Sequence, residues 1–432
     1  MQVEAWLQRA AGSAPTQTAL ETPDARVSYR ELARLAQAGA CELRERGVAR
    51  GERVAIALAP GIEFAQALHA CLLVGAVATP IDLRLKPEER EAILGDGVLL
   101  DTPLRSASVD EEWGGYGHDL DEVCAVIHTS GTTSAPRPIE LTYGNFLWSA
   151  LGSSVALGVD PRERWLCNLP LSHVGGLSIL LRSAIYATTA VIHERFDTAL
   201  VLRALAEEEI TLVSLVSTTL ARLLDAGLHD PPRLRWALTG GGPLPSALLD
   251  RAHAAGVPAL ATYGLTEACS QVSTGSATLF CTRVELAGDG EILVAGPTVA
   301  PGSLGPDGRL HTGDLGEIDG DGALRVIGRK ADTIISGGEN VAPIEVEEAL
   351  EAHPEVIEAA VLGRPDPQWG EAIVAVVVTA PDTQLGEAEL RDHCLERLAP
   401  YKVPKQVRIV SDSLPRTASG KLLRRELQGI SI

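Results

Sequence analysis

The chain has 432 residues, enough for two or three domains at roughly 100–200 residues each. Hydrophobic residues make up 45% and charged residues 22%, which excludes disordered, collagen-like and low-complexity architectures. With 37 Lys+Arg against 57 Asp+Glu the formal charge is −20, a poor match to a nucleic-acid backbone or an anionic membrane surface, so bound anions must meet backbone donors and a few placed cations.

The first residues, Met1 to Trp6, carry no basic segment before an apolar run, and no signal peptide is expected. Ser28, followed three residues on by Glu31, reads as a capping box that opens an amphipathic stretch to Arg46. Residues 53–58 and 77–81 are apolar runs of strand length on either side of a helix-length segment, 64–74. That rhythm predicts βαβ units and a mostly parallel sheet. Gln66, His69, Gly75 and Pro80 interrupt the most apolar stretch, so no membrane insertion is expected. Residues 95–121 are polar and turn-rich and receive no element.

The strand–turn–helix rhythm returns over 123–264, with strands at 123–127, 210–215 and 234–238 and a helix at 217–226. Residues 282–330 are Gly-rich and strand-like, a β subdomain. A boundary at Arg329–Asp332 divides the chain into a large domain, 1–329, and a small one, 330–432. The small domain is read as α+β, with helices at 344–352, 387–398 and 420–427 and strands at 356–363 and 372–379. The expected fold class is α/β: parallel-rich sheets with flanking helices, a β subdomain, and a small mobile C-terminal domain. The seven cysteines are scattered, odd in number and never form CxxC, which fits a reducing cytoplasm and argues against disulfides or a zinc site.

Five segments offer chemistry. Thr129, Ser130, Gly131, Thr132 and Thr133 follow the 123–127 strand. Their hydroxyls and backbone N–H groups can wrap a polyphosphate, and Arg137 adds charge. The loop lacks the Walker pattern. Gly240, Gly241 and Gly242 permit close backbone approach to a flat ring. Thr262, Tyr263, Gly264, Thr266 and Glu267 combine an aromatic face, hydroxyls and a carboxylate. Asp314, after His311-Thr312-Gly313, suits a pair of ribose hydroxyls. The stretch from Pro415 ends in Lys421 on a Gly-containing loop. Taken singly, the first is as well read as a polar surface turn, and the other four are better read as a turn, a core tyrosine, a capping aspartate and a solvated tail lysine.

In this order and at these separations they resemble the adenylate-forming superfamily of acyl-CoA synthetases, luciferases and peptide-synthetase adenylation domains, from about Thr16 to Leu427. The matching strings are TSGTT, YGLTE, TGD, the block from Gly328 to Glu347, DPQWGE, and YKVP with LPRTASGK. The resemblance implies ATP, Mg²⁺ and coenzyme A. A carboxylate attacks the α-phosphate of ATP, and a thiol then displaces AMP. It assigns residues 129–133 and Arg137 to the triphosphate, Gly240–Gly242 and Tyr263 to adenine, and Asp314 and Arg329 to the ribose, with Thr262 and Gly264 also ATP-binding. Thr266 falls to the α-phosphate and Glu267 to Mg²⁺. Lys421 bridges carboxylate and phosphate as a fixed charge. After adenylation the small domain is expected to swing about 329–332, bringing Gly337, Gly338, Glu339 and Trp369 to coenzyme A.

Ser134, Arg137, Pro138 and Ala331 depart from the usual Gly, Lys, Gly and polar pivot of that superfamily. The segment 166–186 is expected to line the acyl pocket, with His173 as gate, Gly175 and Gly176 beside it, and Arg182 seating a second carboxylate. Together with 141–150 and 239–243, this segment resembles the o-succinylbenzoate–CoA ligases. Another acyl-CoA synthetase, a carrier-loading adenylation enzyme and a non-catalytic nucleotide-binding relative are the alternatives. The expected partners are small molecules. A homo-oligomer stays open beside a monomer.

Overall fold

The computed structural model describes residues 1–105, 117–129, 137–242, 244–275, 277–380, 383, 385–416 and 422–427. Two sheets share one layer of helices. The first has five strands in the order Val98–Leu100, Arg53–Ile56, Val77–Pro80, Val123–Thr129, Arg137–Thr142, all parallel except the last pair. The second has nine. Its parallel centre runs Ala259–Leu265, Trp236–Thr239, Leu212–Leu215, Arg164–Cys167, Thr189–Ile192, Thr18–Glu21, and antiparallel strands finish both edges.

Helices Trp6–Ser13, Tyr29–Glu45, Ile62–Val74, Tyr143–Leu157 and Val174–Tyr186 contribute to one core that also takes Ile56 and Ile127 from the first sheet and Trp165 and Ile192 from the second. The Ser28 capping box is formed: Ser28 Oγ accepts from Glu31 N, and the Glu31 carboxylate accepts from Ser28 N at 2.8 Å. Ile62–Val74 is buried from Phe64 onward and ends at Gly75, whose φ of 73° few other residues tolerate.

Three sequence expectations change. Residues 130–136 lie outside the described residues, but the strand after them returns antiparallel to the strand before them, with Thr129 opposite Arg137. The phosphate-loop candidate thus joins a hairpin and does not lead into a helix. Within 95–121, the described part includes the short strands Val98–Leu100 and His118–Asp119. Of the helix expected at 420–427, residues 420 and 421 lie outside the described residues and the helix runs over Arg424–Leu427.

A four-stranded antiparallel sheet follows, Arg283–Leu286, Glu291–Ala295, Leu310–Ile318 and Leu324–Arg329. The 3₁₀ turn Lys330–Asp332 leads from it to a five-stranded sheet built on the long hairpin Val356–Asp366 and Gly370–Thr379, with helices Pro343–Glu351 and Glu387–Leu395 packed on it.

Candidate active site

The parallel strands of the nine-stranded sheet end together, and ligands of open α/β sheets sit beyond such ends. Gly240, Gly241 and Gly242 follow directly on Trp236–Thr239. A Cβ on Gly240 would lie 2.3 Å from Thr262 Oγ1 and 2.9 Å from the Thr262 carbonyl, so only glycine allows these two chains to run this close. Thr262 Oγ1 donates to the Thr239 carbonyl at 3.3 Å, which fixes the neighbouring strand.

Tyr263 stands next on that strand. Its hydroxyl donates to Asp314 Oδ2 at 2.8 Å, while Arg329 Nε lies 2.8 Å from Asp314 Oδ1. Asp314 and Arg329 face each other across the strands Leu310–Ile318 and Leu324–Arg329. Thr312 Oγ1 accepts from Asp314 N at 3.0 Å and donates to the Ile292 carbonyl at 2.8 Å. Burial, and then the Asp314 charge, push the Tyr263 phenol well above its ordinary range, so it stays a donor. Each carboxylate oxygen of Asp314 has a second lone pair, and these suit a vicinal diol. Tyr263, Asp314 and Arg329, read from three separate strings, thus form one cluster next to the Gly240–Gly242 turn.

Glu267 lies in the 3₁₀ turn Thr266–Ala268, partly exposed, with its own carbonyl accepting from Ala300 N at 2.8 Å. Among the described residues there is no group of three or more His, Cys, Asp or Glu able to hold a metal. A single partly exposed carboxylate fits a hard cation that arrives with phosphate oxygens supplying most of its ligands, as Mg²⁺ does with ATP. Ser130, Gly131, Thr132, Thr133 and Lys421 lie outside the described residues. Arg137 starts the returning strand and is exposed. On either side of 417–421, Arg416 pairs with Glu358 at 2.7 Å and Arg424 Nη2 with Glu347 at 2.9 Å.

His173 occupies the N-cap of Val174–Tyr186 without capping it through its side chain. Gly176 is required there, since a Cβ would sit 2.4 Å from the Pro170 carbonyl; Gly175 has ordinary space. Beside His173 are two residues the sequence reading missed. Arg84 forks onto Asp82 at 2.8 and 2.6 Å. Burial opposes ionisation of Asp82, but Arg84 and then His173 hold its carboxyl below the usual range. No short motif marks this pair, which comes from the loop after Val77–Pro80.

Arg182 is only 3% exposed. Its guanidinium neither reaches solvent nor caps the helix; Nη2 donates to Ser149 Oγ at 2.9 Å and the group lies 5.6 Å from the Trp165 ring centre.

The four residues expected at coenzyme A gather elsewhere, on the C-terminal sheet. Gly337 and Gly338 (φ 62° and 86°) form the two-residue turn between Ile334–Ser336 and Glu339–Val341. Gly337 N donates to the Trp369 carbonyl at 2.8 Å, and Lys405 Nζ lies 4.5 Å over the Trp369 ring. Among the described residues, none of their hydrogen bonds or ion pairs reaches the Tyr263 cluster.

Comparison with known proteins identifies relatives of the chain. A family model described as AMP-binding enzyme matches residues 7–99 and 96–304, and one described as AMP-binding enzyme C-terminal domain matches residues 345–421. A 2-succinylbenzoate–CoA ligase of Bacillus subtilis (strain 168) is 37% identical over 475 residues, covering 98% of this chain and 97% of that one. The structure is similar to that of the o-succinylbenzoate CoA synthetase MenE from Bacillus subtilis in complex with the acyl-adenylate intermediate OSB-AMP, with a TM-score of 0.90, 34% identity, and coverage of 100% of this chain and 99% of that one. Against the same synthetase with ATP and magnesium ion the TM-score is 0.88 at 34% identity, covering 99% of this chain and 100% of that one.

Proposed function

The chain belongs to the AMP-binding enzyme family, and on that premise we propose that it is a 2-succinylbenzoate–CoA ligase, joining the acid to coenzyme A through an acyl-adenylate with release of pyrophosphate and then AMP. The observation that carries the reading is the Tyr263–Asp314–Arg329 cluster beside the Gly240 approach, a preformed seat for a ribose and a flat base. Near-full-length identity to ligases of that name supports the choice of acid.

In this reading ATP lies with its base against Gly240–Gly242 and Tyr263, and its ribose hydroxyls on Asp314. Thr129, Arg137 and residues 130–133 meet the phosphates. Glu267 would hold Mg²⁺, which supplies positive charge against the phosphate oxygens. Thr266 donates to the α-phosphate. Lys421 stands between carboxylate and phosphate and offsets the charge that develops as one attacks the other, an electrostatic task that needs no proton transfer. His173, Gly175 and Gly176 border the acyl site. Gly337, Gly338, Glu339 and Trp369 form the thiol side, reached after the 330–432 domain swings about 329–332. Among the described residues no helix is long and apolar enough to cross a membrane. The scattered free cysteines support a cytoplasmic setting.

The test is a panel of carboxylates with ATP and coenzyme A, following AMP and thioester. 2-Succinylbenzoate is expected to give the highest kcat/KM. Preference for benzoate or a medium-chain fatty acid would overturn the substrate and leave the adenylation chemistry standing. AMP release that needs a phosphopantetheine carrier instead of coenzyme A would make it a carrier-loading enzyme.

A further inference from the structure

Arg182 forms no ion pair with a carboxylate among the described residues, and its Nε has no hydrogen-bond partner there. Burying a guanidinium without a counter-charge is unfavourable, and burial lowers the pKa of this one. The charge is directed at one acceptor, Ser149 Oγ, 2.9 Å away. A serine hydroxyl has a single proton. With a cation donating to its oxygen, that proton goes to the Cys269 carbonyl at 2.6 Å, and the charge-assisted first bond strengthens the second.

Cys269 closes the Thr266–Ala268 turn with φ 50°, and Ser270 follows with φ 89°. Two successive non-glycine residues in the left-handed region store strain, of order 1–3 kcal/mol each, and persist only where the surroundings over-determine them. The surroundings here are specific. The Ser270 carbonyl lies where a Cβ on Gly264 would be, 1.7 Å from that position, so Gly264 admits the turn from one side. Asn145 stands one helical turn before Ser149 on Tyr143–Leu157. Its Nδ2 donates to the Pro297 and Val299 carbonyls at 2.9 and 3.0 Å, just ahead of Ala300, whose N–H holds the Glu267 carbonyl. One helix thus holds the Glu267 turn directly at Cys269, through Ser149, and indirectly through the 297–300 segment, by way of Asn145.

We propose that Arg182 is a positioning residue that acts through Ser149 on the Cys269 carbonyl, locking the strained turn that aims Thr266 and Glu267 at the α-phosphate and its cation. The proposal rests on the adenylation reading above. It replaces the expectation that Arg182 seats a substrate carboxylate.

The variants are Ser149→Ala, which removes one oxygen from the relay, Arg182→Met, which removes the charge at similar volume, and Arg182→Lys, which restores a charge. In the ligand-free protein, amide exchange over 266–270 is expected to speed up in Ser149→Ala and Arg182→Met relative to the flanking strands. The Mg²⁺ concentration for half-maximal pyrophosphate exchange should rise about five- to tenfold, the loss of one to two ordinary hydrogen bonds. The carboxylate KM should stay within about twofold, and thioester formation from preformed acyl-adenylate should be spared. Arg182→Lys should recover at least part of the Mg²⁺ effect. A carboxylate KM raised tenfold with Mg²⁺ dependence unchanged would overturn the proposal in favour of a substrate contact. Equal loss in both half-reactions, with exchange accelerated throughout the core, would reduce Arg182 to a packing role. Should Arg182→Met fail to fold, Ser149→Ala carries the same test. The amide-exchange measurement on the ligand-free protein needs no acyl substrate, so failure of the substrate reading leaves it intact.

Discussion

Asp314 can hold a diol only if its own position is settled before the nucleotide arrives. Tyr263 and Arg329 settle it, each taking one lone pair of a different oxygen. Tyr263→Phe keeps the aromatic face and deletes only the bond to the carboxylate, leaving Arg329 in place. KM for ATP is expected to rise by about tenfold, typical of a hydrogen bond to a charged group, with kcat little changed. Steady-state kinetics with ATP varied checks this; an unchanged KM with a reduced kcat would place the phenol on the reacting atoms instead. At this scale much was legible. Tyr263 and Asp314, which the fold brings together, lie in short strings whose chemistry is carried by consecutive residues. Ser149 was not legible, because its partner Cys269 lies 120 residues away and nothing in either neighbourhood signals the pairing. Asp82 was missed for the same reason: only folding brings it to His173.

Elements announced themselves where one face is wet. Tyr29–Glu45 alternates buried and exposed turns and was read with its capping box. Tyr143–Leu157 and Val174–Tyr186 are buried on most sides between two sheets, so they lack the polar stripe that marks a surface helix. Arg137–Thr142 was hidden by Pro138, which argues against a strand interior; as the edge of its sheet this strand tolerates a proline. Helix Pro343–Glu351 carries a testable consequence of its packing. Burial, with Glu347 and Glu358 nearby, pushes the Glu351 carboxyl up to about 7, although Ala359 N–H and Arg416 oppose the shift. A folded state that holds this proton while the unfolded chain releases it loses stability as pH rises from the ordinary carboxylate range to about 7, with the full penalty above that. Glu351→Gln keeps an acceptor for Ala359 N–H and removes the titration. Its Tm should exceed that of the wild type at pH 8 and match it at pH 4, below the ordinary carboxylate range. A variant less stable at pH 8 than the wild type would show that the ionised carboxylate is the stabilising form.

At the scale of the whole molecule the sequence marked the turn at 329–332 but not the order of the sheets. Thr18–Glu21 pairs with Thr189–Ile192 across some 170 residues, and strand-length runs do not name their neighbours. What the fold adds at 329–332 is a pair of anchors on either side of Ala331. Lys330 Nζ lies 2.5 Å from Asp289 Oδ2 and 3.1 Å from Glu291 Oε2 on the four-stranded sheet. Glu291 is tied in turn to Gly313 N at 3.0 Å, next to Asp314. Asp332 lies 3.5 Å from Arg424, which the buried Glu347 holds on the C-terminal side. Ala331, where the superfamily resemblance leads to the expectation of a polar pivot, has a side chain with no hydrogen-bonding group, so within Lys330–Asp332 it is Lys330, beyond the Arg329–Asp314 pair, that fastens the turn to the nucleotide side. If the C-terminal domain swings between half-reactions, as proposed, Lys330→Ala loosens the arrangement it must leave. Pyrophosphate exchange should be nearly unchanged, and thioester formation after adenylation should accelerate by about fivefold or less, the ceiling for a half-exposed ion pair. The difference between variant and wild type should vanish near 1 M salt, where screening acts over about 3 Å. Rapid-quench measurement of both steps at low and high salt distinguishes the outcomes. A slower first step with an unchanged second would mean that Lys330 serves Asp314 through Glu291 and has no part in the swing.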